Sequence, residues 1–211
     1  MKPIIGLIMG LTFLYSKGAA QQKVVAECTV NFQIILTETK VDKDVQNAIQ
    51  QSSKTVYIKG NDSRVDLISP TLTQSVIYDK SNGTAVVLKE FGNNKFMTRL
   101  SQTAWKLANK QYEGLNIQQL SGTKTILGYE CKKVLISLKD STVFNVYYAT
   151  AITPSVKEFE YQFKDIPGFV LEFQEKETDG TVVTYKAIKI TLSPVLASKY
   201  DVPTSGYRLL N

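Results

Sequence analysis

Apolar and polar residues alternate one by one from Val24 to Leu36. Val24, Ala26, Cys28, Val30, Phe32, Ile34 and Leu36 fall on one side, and Glu27, Thr29, Asn31, Gln33 and Thr37 on the other. Period two over that length predicts a long strand with one dry and one wet face. The pattern changes at Asp42–Ser52, a polar stretch without glycine or proline in which Val45 and Ile49 stand four apart. That spacing predicts a short surface helix. Hairpins follow. Thr55–Lys59 and Arg64–Ile68 flank Gly60-Asn61-Asp62, Leu72–Tyr78 and Thr84–Glu90 flank residues 79–83, and Lys95–Leu100 follows Gly92-Asn93-Asn94. Each gap holds the Gly, Asn or Asp that a tight reversal needs for positive φ.

Helical spacing returns over 101–112, where Trp105, Ala108 and Tyr112 recur and Ser101 or Thr103 is available as N-cap. A second group of strands is predicted over 125–127, 129–138, 142–150, 169–174 and 181–192, with Asp140-Ser141 and Asp179-Gly180 as turns. The tail from Ser193, with Pro194 and Pro203, reads as extended. Long strands with one apolar face must pack that face against something. The pattern predicts a mostly β fold: one curved antiparallel sheet forming an incomplete barrel, with one or two short helices capping its concave side. A two-sheet sandwich satisfies the same periodicity.

The first 20 residues read differently. Met1-Lys2-Pro3 is a positive start, Ile4–Tyr15 is apolar, and Ser16-Lys17-Gly18-Ala19-Ala20 is a run of small residues around one lysine. Charge, apolar core and small residues in that order predict a signal peptide cleaved near Ala20, since a membrane-spanning helix needs about 20 apolar residues. The expected mature chain, 21–211, is a single β domain without a transmembrane span, in the periplasm or otherwise envelope-associated. Of the formal net charge of +6, Lys2 and Lys17 supply two, leaving +4. The three arginines, Arg64, Arg99 and Arg208, are scattered, so no nucleic-acid surface is expected.

Export would place Cys28 and Cys131 in an oxidising compartment. A bridge between them would close a loop of roughly 100 residues, worth about 4–5 kcal/mol in the chain-entropy model. Two buried free thiols are the alternative. Histidine is absent from the whole chain. That removes imidazole base chemistry, His-activated nucleophiles and the commonest zinc ligand. No phosphate-binding glycine loop occurs. The carboxylates of Glu158/Glu160 and Glu172/Glu175/Glu177 read as a solvated face, and no catalytic, cofactor or metal site is expected. Asn61-Asp62-Ser63 and Asn82-Gly83-Thr84 match the N-glycosylation pattern but read first as turns.

Four stretches carry a resemblance. Residues 123–133, TKTILGYECKK, resemble a segment of the GLPGLI family of exported Gram-negative bacterial proteins. Residues 166–173, IPGFVLEF, are similar to the motif that names it, 57–64 to its YIKGxxxR hairpin, and 200–207 to its closing proline-and-tyrosine segment. The resemblance implies a fold like that of the lipoprotein carriers LolA and LolB, which hold acyl chains in a half-barrel. At Pro167-Gly168 a turn with a left-handed glycine is expected. A lipid or other apolar ligand is the expected guest, lined by Phe32, Ile34, Phe144, Val146, Phe169 and Leu171, with Trp105 near the opening. The alternative is a non-catalytic structural protein, or one that binds an envelope protein partner, with an interior filled by its own side chains.

Overall fold

A computed structural model describes residues 21–36, 42–176 and 181–210. The expected signal peptide lies outside the described residues. Strands make up 55% of what is described. In chain order the elements are β1 (Lys23–Val25), β2 (Glu27–Leu36), α1 (Lys43–Gln50), β3 (Ser53–Lys59), β4 (Asp62–Ile68), β5 (Thr73–Asp79), β6 (Thr84–Phe91), β7 (Asn94–Leu100) and α2 (Gln102–Ala108). There follow β8 (Asn116–Ile126), β9 (Tyr129–Ser137), β10 (Val143–Ala149), β11 (Ile152–Pro154), β12 (Phe169–Lys176), β13 (Val182–Thr191) and β14 (Arg208–Leu210).

Twelve strands form one open, curved sheet in the order β14-β7-β6-β5-β4-β3-β2-β13-β12-β10-β9-β8. The expected curved antiparallel sheet is therefore the observed one. It departs from antiparallel pairing only at β14, which joins β7 in parallel over three residues. A separate three-residue parallel pairing joins β1 to β11.

The parity of β2 is the one its sequence dictates. Cys28, Val30, Phe32 and Ile34 are buried, Asn31 is half-buried and Gln33 is exposed. The inner face gathers these with Val56, Ile58, Val134, Ile136, Val146 and Phe173 into one large core. Each fully buried side chain of this size contributes about 1.5–3 kcal/mol relative to remaining exposed. Both helices lean on that core, α1 through Ile49 and α2 through Trp105. Asp42 caps α1, its carboxylate accepting from the Asp44 N–H at 2.8 Å, and the Ser101 hydroxyl caps α2 by accepting from the Ala104 N–H. The outer face of β5–β7 carries a smaller core of Ile77, Leu88 and Met97, covered by Tyr200, Val202 and Tyr207 of the tail. The tail, expected to be extended, contains a 3-10 turn at Ala197–Tyr200, whose Lys199 carbonyl accepts from Arg64 Nη1 at 2.8 Å.

The cysteines need a correction. Both are free and buried. Cys28 is on β2 and Cys131 on β9, with β13, β12 and β10 between them in the sheet. Neighbouring strands lie about 4.8 Å apart, so four spacings along the sheet exceed the reach of a disulfide. Burial pushes the Cys28 thiol up to about 12 and that of Cys131 up to about 11, which makes both unreactive at neutral pH.

Gly168 departs from expectation too. It is absent from the positive-φ glycines. A Cβ there would sit 2.2 Å from the Ala149 carbonyl oxygen and 2.6 Å from Tyr148 Cδ2. Close approach of two backbones, not a left-handed turn, is what requires glycine at this position.

Candidate functional site

The segment between β11 and β12 decides what the inner face can hold. Two 3-10 turns, Lys157–Phe159 and Tyr161–Phe163, lay Phe159 and Phe163 onto the sheet. Phe163 meets Phe173 edge-on at 4.9 Å between ring centroids, Phe159 meets Phe169 at 5.9 Å, and Phe173 stacks on Tyr185 at 4.7 Å. Aromatic contacts of this kind add about 0.5–1.5 kcal/mol each beyond the area they bury. The interior expected to shelter an acyl chain is therefore filled at this level. Phe32, Val146, Phe169 and Leu171 are core side chains, none more than 3% exposed, and none of them lines the grooves below.

One reason is local. Between Tyr147 and Tyr148 the β10–β12 ladder shifts by a residue, so Tyr147 faces Glu172 while Tyr148 faces Val170. The bulge buries Phe169, Val170 and Leu171 consecutively, where simple alternation would expose the middle one.

The groove lies at the rim. A cleft of about 240 Å³ is bounded by Lys54, Val65, Leu67, Trp105, Asn109, Tyr112, Phe159, Glu160, Gln162, Glu175 and Tyr185, among others. A second cleft, of about 480 Å³, is bounded by Gln111, Leu138, Asp140, Thr142, Phe144 and Lys176, and shares Tyr112, Gln162 and Glu175 with the first. Trp105 and Phe144, two of the residues expected to line a ligand, therefore stand on either side of a common junction. Ile34 lines a different cleft, with Leu36 and Ile49 beneath α1.

At the floor of the first cleft is a buried ion pair, Lys54–Glu160, whose side chains are 8% and 10% exposed. The Lys54 ammonium also sits 4.7 Å from the Phe173 ring centroid and 4.4 Å from that of Tyr185. Gln162 Nε2 donates to Glu160 Oε2 at 2.8 Å and reaches Glu175 Oε1 at 3.5 Å. Burial raises the Glu160 carboxyl above its ordinary value, Lys54 opposes the rise and Glu175 adds to it. The expectation of a solvated carboxylate face is thus corrected at Glu160, which sits in extended backbone between the two 3-10 turns. It is corrected also at Glu172, whose side chain is 12% exposed and paired with Lys124, and at Glu158, which buries one carboxylate oxygen; Glu177 lies outside the described residues. Above the pair, Trp105 stacks on Tyr78 at 5.5 Å and meets Tyr161 edge-on at 6.2 Å. Trp105 Nε1 is buried without a hydrogen-bond acceptor.

Sequence reasoning missed Lys54, Glu160, Gln162 and Glu175 as a group. One signal was available: in β3 the dry positions are Lys54, Val56 and Ile58, so alternation alone puts a lysine on an apolar face. A lysine there demands a buried counter-charge. Nothing in the order of residues 151–168 says which carboxylate supplies it.

No family model matches the chain, and no curated protein matches it. Solved structures do. An uncharacterized conserved protein from Thermus thermophilus is similar with a TM-score of 0.51 and 10% identity, over 88% of this chain and 90% of that one. PNGF-II is similar with a TM-score of 0.47 and 16% identity over 87% of this chain, which spans 30% of the length of that protein. A LolA superfamily protein from Nitrosomonas europaea gives a TM-score of 0.36 and 13% identity, over 84% of this chain and 91% of that one. At 10% identity the likeness to the Thermus thermophilus protein is one of fold alone.

Proposed function

We propose that residues 21–211 form one exported, non-catalytic binding domain of the cell envelope, periplasmic or surface-associated, that holds an amphipathic ligand such as a lipid. The ligand lies in the rim groove rather than in the interior. The observation that carries this reading is the junction at Tyr112, Gln162 and Glu175, where two clefts meet. Ring faces, amides and carboxylates follow one another along that path. An apolar chain resting on Phe144 and Leu138 would gain about 0.8 kcal/mol per methylene removed from water. Export rests on the charge, apolar core and small residues of 1–20. No helix among the described residues is long and apolar enough to cross a membrane. The non-catalytic reading rests on the lack of histidine in the sequence.

Trp105 is the only tryptophan in the chain, which makes the test direct. Delipidated protein titrated with decyl maltoside, below its micelle concentration, should show a saturable change in tryptophan fluorescence, weakened by Phe144→Asp. Absence of any saturable change with neutral, anionic and cationic amphiphiles alike would hand the case to a protein-interaction role. One observation favours that second reading: β8 ends the sheet, and the outer edge of its eleven residues pairs with no described strand. Such an edge can accept a partner strand.

A further inference from the structure

Resting on the groove as the ligand site, we propose that it selects a cation: an amine or quaternary ammonium head carried on an apolar chain. Glu175 is the counter-ion and the Tyr112 ring is the face the head rests against.

The charge census of the two clefts gives the sign. Lys54, Glu160 and Glu175 line the first, and Glu175, Asp140 and Lys176 line the second. Three carboxylates therefore face two ammonium groups, and the pairs are not equally free. Lys54 is held by Glu160 and lies against two rings. Asp140 Oδ1 is engaged by the backbone N–H of Thr142 at 2.9 Å, which holds its carboxyl below the ordinary range. Among the described residues, the Glu175 carboxylate has only the 3.5 Å contact from Gln162. It is the carboxylate at the shared junction with its hydrogen-bonding capacity largely unused.

The fold already solves the same recognition problem once. The Lys54 ammonium is held by one carboxylate and two aromatic faces within the protein, the arrangement that recognises free ammonium groups in aromatic cages. One step along the cleft the components recur: Glu175, the Tyr112 ring, and the Asn109 and Gln162 amides. The Tyr112 ring has no aromatic or cationic neighbour among the described ring contacts. Its hydroxyl is raised chiefly by burial, eased by a hydrogen bond with Gln111, and raised again by Glu175 and Glu160. The ring thus lies in the field of both carboxylates. A fatty-acid carboxylate or a phosphate entering this junction would meet the Glu175 carboxylate, since the Glu160 charge is already matched by Lys54, and in a partly desolvated site that like-charge contact is unfavourable.

The experiment compares three amphiphiles with the same ten-carbon chain, decyltrimethylammonium, decanoate and decyl maltoside, each below its micelle concentration and read by Trp105 fluorescence. Decyltrimethylammonium should bind at least about tenfold more tightly than decanoate, as expected for one desolvated cation–carboxylate and cation–ring contact. Glu175→Gln should bring that ratio close to one. Tyr112→Leu, which keeps an apolar side chain, should lower it about threefold. Decanoate binding as tightly as the ammonium compound would overturn the charge assignment and leave the groove standing. A preference that survives in Glu175→Gln would remove Glu175 from the role. If none of the three binds, the groove reading falls and this inference falls with it. The wild-type ratio decides alone if either variant fails to fold.

Discussion

From β3 to β7 each ladder runs residue against residue without a slip. Beyond them the sheet behaves differently, and the β2–β13, β10–β12 and β8–β9 pairings each contain a register shift. The first region is joined by tight turns at Gly60, Gly83 and Gly92, all with φ near +60°, and turn geometry pins the register of a hairpin. In the second region the chain leaves the sheet between β10 and β12, and β2 meets β13 from the far end of the sequence. Register there is chosen by side-chain packing, with bulges absorbing the mismatch. Glu175 and Phe144 belong to that second region, and Glu160 and Gln162 to its excursion. The regular half supplies a scaffold with Lys54 at its boundary, and the irregular half supplies the groove's other charges.

The sharpest way to break this contrast is to empty the centre of the irregular half. Phe173 touches Phe32, Phe163 and Tyr185 and supports Lys54. Phe173→Ala should lower unfolding free energy by about 4 kcal/mol in urea denaturation, the range for a large aromatic removed from a tight core. Loss of only about 1 kcal/mol would mean that the aromatic cluster is loosely packed.

Next comes the boundary. Lys54→Met leaves Glu160 buried without its partner and should cost about 3 kcal/mol near neutral pH. Adding Glu160→Gln should recover most of that. The pH dependence has a definite sign. Because the folded Glu160 carboxyl is raised, the stability it contributes is fully present below the ordinary carboxylate value of 4.5 and is lost as pH rises through its folded value. The deficit of Lys54→Met against wild type should therefore be larger at pH 7 than at pH 5. Glu90, in the regular half, is lowered by the Tyr207 hydroxyl first and by Lys95. Its contribution is present above that ordinary value and fades as pH falls, so the tail's contact with β6 should loosen on acidification. Hydrogen exchange along 200–210 would report it. Parallel pH responses in the two places would contradict the contrast.

The smallest expected effect is in the outer core. Leu88→Ala removes a side chain that is 5% exposed from a cluster with only Ile77 and Met97 as buried neighbours. Such a site can collapse, so the cost should be about 2 kcal/mol, at the low end for this change. An effect as large as that of Phe173→Ala would mean that the tail is as integral as the inner core.

Where local rules govern, reading the chain succeeds residue by residue. Alternation from Cys28 onward places Val30, Phe32 and Ile34 inside, although Val24 and Ala26, expected on the same face, are exposed and Val25 is buried in the separate strand β1. Glycine and asparagine place the turns, and spacing finds α1 and α2 with Ser101 as the cap. Those features follow from side-chain period and backbone sterics, which operate within a few residues. They were enough to predict antiparallel strands with one dry face and short helices against it, while the choice of one open curved sheet over a two-sheet sandwich, which satisfies the same periodicity, belonged to the tertiary structure. Tertiary structure alone decided that three strands separate Cys28 from Cys131, and that Gly168 serves a close approach to Ala149. It also decided that Phe159 and Phe163 fill the expected cavity, and that Lys54, Glu160 and Glu175 converge. Each of those outcomes depends on contacts between residues far apart in the chain, set by strand order and by the path of an irregular segment. Neither leaves a period in the sequence, because packing and charge pairing act through space.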